Sequence, residues 1–127
     1  MVDSHYRRLL VADEMEENYK IAVLDLDTGQ HINSTLEDFS FTEDPEGIAL
    51  VSTGDNTGYW ICTEQSKDNN RFHLFDRESL EYIDSLYFED INYTDGISTA
   101  YMHGNLYLYA SDDDRRVGAF LLPEINH

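Results

Sequence analysis

Apolar and polar positions alternate along this chain in short runs, and the runs recur in a fixed order. RRLLVADE is followed by YKIAVLDLDTGQHI, GYWICTEQ by NRFHLFDRESLEYI, and NLYLYASD by RRVGAFLLPEI. In each unit a β-branched or aromatic strand runs into an acidic or amide-rich turn, and a second alternating strand follows. The middle unit is the most complete, because EGIALVS precedes it and EYIDSLYF follows. Four short strands are thereby separated by turn signals at Asp55 to Gly58, Lys67 to Asn70 and Arg77 to Ser79.

Units of four strands recurring at offsets of roughly 45 to 50 residues are the signature of a β-propeller. Two prolines, few stretches of helical period and nine tyrosines on strand-like segments support an all-β fold. The expected architecture is about three four-stranded blades of a partial propeller, one domain over residues 1–127, with blades at roughly 1–40, 41–90 and 91–127. The first unit leaves room for only the tail of an innermost strand, and the last stops before a fourth, outer one. Three blades do not close a ring. The foremost expectation is a piece of a longer product; the second is a homodimer of three blades each. An open arc would leave its strand edges exposed to aggregation.

Charge narrows the partners. Against 8 basic residues stand 26 acidic ones, a formal charge of −18, so nucleic acid and anionic membrane are repelled and cations are favoured. A solvated surface accounts for much of that charge, with only a few acids left for a metal. No apolar run approaches the roughly 20 residues of a membrane span, and the chain does not open on a secretory signal. Cys62, the single cysteine, excludes an internal disulfide and lies in the apolar run YWIC, the setting of a buried thiol.

Acidic residues cluster at strand boundaries. Asp13 and Glu14 follow LLVA, Asp44 and Glu46 precede IALVS, and Asp95 precedes ISTAYM. The innermost strand of a propeller blade begins at a mouth of the central channel, so Asp44, Glu46 and Asp95 are expected to converge there. Calcium suits such oxygen donors, since it accepts six to eight of them in flexible geometry; zinc would want His or Cys, and the five histidines are scattered. Asp-Pro-Glu-Gly and Thr-Asp-Gly are also ordinary turn chemistry.

The run DPEGIALVSTGDNTGYWICTEQSKDNNRFHLFDRESLEYIDSLYF, with YTDGIS and NLYLYASDDDRRVGAFLLPEI after it, resembles the C-terminal half of the β-propeller phytases, the calcium-dependent six-bladed enzymes that release phosphate from phytate. Matching segments are Asp44-Pro45-Glu46-Gly47-Ile48, Gly58-Tyr59-Trp60 with Gln65 and Asn69-Asn70, Phe75-Asp76-Arg77, and Thr94-Asp95-Gly96; MVDSHYRRLLVADEM resembles an earlier segment of that family. The resemblance implies that Asp44, Glu46 and Asp95 hold catalytic calcium ions, with Asp13 or Glu14 as a further ligand. It implies an extracellular or periplasmic enzyme acting on phytate, and Met1 as an internal methionine of a longer inner strand. Lys67, Arg71 and Arg77 are candidate phosphate contacts, although a strand-end cation is commonly just a solvated flank. The TEQSKDNN loop is longer than the family's, and basic residues that grip phosphate there belong to blades not represented here. The competing reading is a non-catalytic propeller that binds through its faces and carries structural calcium.

Overall fold

A computed structural model describes residues 1–13, 19–65, 70–88, 91–113 and 115–123. The chain forms three antiparallel sheets in sequence order. The first contains β1 (Val2–Asp3), β2 (Arg8–Asp13) and β3 (Lys20–Asp25). A one-turn helix, α1 (Thr35–Asp38), follows, its first turn capped by Ser34, whose hydroxyl accepts the Glu37 N–H at 3.1 Å. The second sheet is β4 (Pro45–Ser52), β5 (Gly58–Glu64), β6 (Arg71–Asp76) and β7 (Tyr82–Tyr87), paired in that order; the third is β8 (Ile97–Met102), β9 (Asn105–Asp112) and β10 (Arg116–Leu121). Each sheet is a meander, the wiring of a propeller blade.

Among the described residues the first and third sheets are smaller than the second. β1 is two residues long, and the outer strand of the first sheet shrinks to one bridge between Leu24 and His31. The third sheet has three strands among the described residues.

Period two explains how the sheets stack. Every residue of β5 is buried, and its side chains alternate between two cores. Trp60 and Cys62 join Leu10, Ile21, Val23 and Phe75 between the first and second sheets. Tyr59 and Ile61 join Phe72, Leu74, Leu108 and Ala110 between the second and third. The middle blade is thus sandwiched, and burial on both faces is why GYWICT reads as a continuous apolar run. Cys62 is fully buried, and burial pushes its thiol up to about 12, so it packs and does not react.

Two hairpins repeat one device. Asp25 and Asp76 end β3 and β6, and each carboxylate accepts two backbone N–H groups of the turn that follows. The fifth residue of the turn has positive φ: Gly29 at 73° in the first sheet, Leu80 at 62° in the second. Leucine tolerates a left-handed backbone there because its side chain is 1% exposed within the first core. Burial of a leucine, worth about 1.5–3 kcal/mol, outweighs the roughly 1–2 kcal/mol of backbone strain.

Gly58, at φ 139°, opens β5, and a Cβ there would lie 2.0 Å from the carbonyl oxygen of Val51. Gly58→Ala is therefore expected to destabilise the chain by well over about 1 kcal/mol, read as a lower midpoint in urea unfolding. An unchanged midpoint would mean that the turn into β5 relaxes freely.

Candidate functional site

Antiparallel pairing gathers the end of β2, the start of β4, the end of β5 and the start of β6 at one end of the sheets, with Asp13 opposite Lys20 and Pro45, Glu64, Arg71 and Tyr87 in register. The start of β8 joins them through side chains. Gln65, just past β5, donates its backbone N–H to the carbonyl of Asp44 at 2.7 Å and its side-chain amide to Asp95 Oδ1 at 2.6 Å. One residue therefore ties the openings of two successive inner strands. Beside it, buried Asn70 donates to the hydroxyl of buried Thr94, and the Asp95 and Gly96 N–H groups point at Ser111 Oγ, at 3.1 and 3.3 Å.

The start of β4 is irregular. Between Pro45 and Ile48 the pairing with β5 shifts register, so Glu46 and Gly47 form a bulge, and the Gly47 N–H donates to Thr63 Oγ1 at 2.9 Å. A bulge re-aims the side chain it carries, here Glu46, and interrupts the simple alternation that the sequence suggests. Glycine leaves room for the close approach of β8: a Cβ at Gly47 would lie 3.0 Å from Ile97 Cγ1 and 3.1 Å from its backbone nitrogen, so β8 would have to give by a few tenths of an ångström.

Behind this rim Glu64 is buried at 3% exposure, accepting the Thr42 N–H at 2.8 Å and the Thr42 hydroxyl at 3.3 Å. His73 Nε2 lies 3.5 Å from Glu64 Oε1, an ion-pair distance without a hydrogen bond, while its Nδ1 meets Ser85 Oγ at 2.6 Å. Burial pushes the Glu64 carboxyl up, but His73, the Thr42 N–H and Arg71 together hold it below the ordinary carboxylate range. Glu64 is thus a fixed negative charge under the rim.

Asp44 and Glu46 are half-buried, Asp13 likewise, and Asp95 is exposed. Glu14 and Lys67 lie outside the described residues. Arg71 is exposed at the same end, its guanidinium 5.7 Å from the Tyr87 ring centroid. Arg77 is not there. It follows β6 at the other end, roughly 20 Å of strand away. Its guanidinium is buried, with Nε 2.8 Å and Nη2 3.0 Å from the two oxygens of Asp3, while Nη1 donates to the carbonyls of Gly54 and Thr57 and to Ser52 Oγ. All three guanidinium nitrogens are engaged, so Arg77 clamps the first two sheets together at the end away from Asp44 and Asp95. Asp3 and Gln65 went unassigned in the sequence; the contacts that define them span 74 and 30 residues and leave no local pattern.

Among the described residues no group of three His, Cys, Asp or Glu side chains is drawn together tightly enough to hold a metal ion. The donor chemistry at this end is nonetheless of one kind, carboxylate and amide oxygen, which suits a hard cation. Further along the same end, Asn92, Tyr93, Asp112, Asp113, Arg115 and Arg116 line an open groove in which Arg116 Nε pairs with Asp112 at 2.7 Å.

No curated protein and no solved structure gave a match to the chain. The family model described as Phytase matches residues 1–105, a span that includes Asp13, Asp44, Glu46, Gln65 and Asp95. With most of its length matched and its strands meandering in blade-like sheets, the chain belongs to the phytase family.

Proposed function

We propose that this chain supplies the acidic wall of a calcium-dependent phosphomonoester hydrolase acting on phytate or a related phosphate ester, exported to an extracellular or periplasmic setting. The observation that carries this reading is the Gln65 bridge, which ties the Asp44 and Asp95 strand openings together within the span matched by the family. Asp44, Glu46 and Asp95, with Asp13 at the end of β2, are the residues that would hold calcium. When bound, calcium supplies charge neutralisation of phosphate oxygens and a polarised water for attack at phosphorus.

The residues themselves do the positioning. Gln65 fixes the Asp95 carboxylate, the bulge presents Glu46, and buried Glu64 keeps the region negative and so selective for cations. Without a cation this wall repels a phosphate ester; a divalent ion inverts the local field. Arg71, exposed at this end, would meet a phosphate oxygen once that field is inverted. Three sheets fall short of the four blades that the smallest propellers use, so further blades, from a longer product or another chain, complete the site.

The test is phosphate release from phytate, with millimolar calcium and with a chelator, on size-fractionated protein. Turnover that requires calcium supports the hydrolase. Calcium-dependent stabilisation without turnover in any fraction would favour the non-catalytic binding module instead.

A further inference from the structure

One buried imidazole has no part in the rim or in phosphate contact. His73 lies in β6 with its side chain 5% exposed. Its Nδ1 meets Ser85 Oγ at 2.6 Å, and that hydroxyl meets the Tyr82 hydroxyl at 2.8 Å, so this nitrogen is satisfied. Nε2 is buried without a hydrogen bond among the described residues, and it faces Glu64 Oε1 at 3.5 Å. An imidazole nitrogen held that close to a buried carboxylate, yet unbonded, is a contact that a proton would complete.

The rest of the shell is uncharged or turned elsewhere. Phe39 and Phe41, from the segment after α1, and Tyr82 of β7 surround the ring at centroid distances of 5.0, 5.5 and 6.4 Å. Opposite His73 in register stand buried Cys62 on β5 and Ser85 on β7. The Asp84 carboxylate accepts the Ser85 N–H, Asp38 beside Phe39 is exposed, and Glu37 meets His31 and the Val23 N–H. Arg71, two residues earlier on β6, is exposed. Among the described residues, Glu64 is the charged group facing Nε2.

Glu64 in turn reaches three of the rim acids within one step. Its carboxylate accepts both donors of Thr42, two residues ahead of Asp44. Its backbone pairs with Pro45, which stands between Asp44 and Glu46. The next residue, Gln65, holds the Asp44 carbonyl and the Asp95 carboxylate.

We propose that His73 and Glu64 form a proton-operated pair that sets the cation affinity of the rim, tight near neutrality and loose in acid. The pair regulates the site described under the proposed function and rests on that calcium reading. With His73 neutral, Glu64 keeps its whole charge beneath the rim and its hold on Thr42. A proton on Nε2 cancels that charge and draws Oε1 from the Thr42 N–H toward the ring, which loosens the approach to Asp44. Both changes disfavour a divalent cation. Linkage makes the coupling reciprocal, so a bound cation also disfavours the proton on His73.

Calorimetric titration with calcium chloride between about pH 5.5 and 8 tests the pair, a window in which imidazoles titrate and ordinary carboxylates do not. The wild type is expected to bind calcium at least about fivefold more weakly at the acid end. Glu64→Gln keeps an oxygen for Thr42 but no charge, and should bind weakly throughout. His73→Phe suits its aromatic surroundings and should bind tightly throughout; His73→Gln should do the same and serves if the phenylalanine variant fails to fold. His31→Gln, at an exposed histidine, should keep the wild-type pH dependence. Equal wild-type affinity at both ends, or a pH dependence that survives in a folded His73 variant, overturns the pair and leaves the calcium reading standing. No calcium binding at any pH removes the calcium reading and this inference with it.

Discussion

Arg77→Met is expected to cost about 3–5 kcal/mol, the usual penalty for stranding one member of a buried ion pair. Asp3 is 0% exposed and would keep its charge with only the His5 and Tyr6 N–H groups, at 3.1 and 3.3 Å, to satisfy it. The loop after β4 loses at the same time the three donations that Arg77 makes to Ser52, Gly54 and Thr57. Against a total stability of about 5–15 kcal/mol for a domain, this single change removes a large fraction. Replacing both members, Asp3→Leu with Arg77→Met, should cost much less than the sum of the two, because no buried charge is left alone. Urea unfolding of the four proteins measures both quantities. A loss under about 1 kcal/mol for Arg77→Met would show that water reaches Asp3.

The same pair sets an acid limit. Burial pushes the Asp3 carboxyl up, but hydrogen bonds from Arg77, Tyr6 and His5 bring it below its ordinary value, and Glu64 is lowered as well. A carboxyl with a depressed folded-state value contributes stability above its unfolded value of about 4, and that contribution is lost as pH falls through the folded value. Melting temperature should therefore be flat above about pH 5 and fall steeply below about pH 4. In Asp3→Leu with Arg77→Met the acid fall should be shallower, with Glu64 and the exposed Asp27 and Asp112 still lowered by their partners.

How much of this was readable in advance differs by residue. The middle blade was, because YWIC and HLF are apolar runs bounded by turn residues, and strand periodicity needs nothing beyond its neighbours. The short helix at Thr35–Asp38 was not, since a single turn carries too little periodicity to stand out; its Ser34 cap is the one local sign. Asp44 and Asp95 stand out in the sequence as acids just ahead of strands, yet nothing local shows that Gln65 links them, because that link depends on how one blade sits against the next. Arg77 shows the same limit. A cation at a strand end reads as available, and only the fold discloses that the buried Asp3, 74 residues earlier, claims it.

Asp95→Asn and Asp44→Asn are expected to abolish stabilisation by calcium while leaving the calcium-free protein as stable as the wild type or slightly more so. The sign in the absence of calcium follows from charge. In a chain of formal charge −18, each acid at the rim is repelled by the rest, so removing one relieves repulsion. Asparagine keeps the shape and an oxygen for the Gln65 amide to reach, so the bridge need not collapse. With calcium the sign reverses, because a ligand binding only the folded state at 100 times its dissociation constant adds about 2.7 kcal/mol, and a variant that has lost a carboxylate ligand forgoes it. Glu46→Gln should behave alike, since the bulge presents its carboxylate at the same strand opening. Asp113→Asn supplies the contrast: Asp113 lies 3.6 Å from Arg115 in an exposed hairpin, and its loss should leave the calcium response intact. Thermal melts of the five proteins with calcium and with chelator decide the matter. Equal calcium shifts in wild type and in all three rim variants would remove Asp44, Glu46 and Asp95 from the metal site and leave them as turn formers, whereas a shift lost at the rim and kept in Asp113→Asn would assign the cation to the two strand openings that Gln65 ties together.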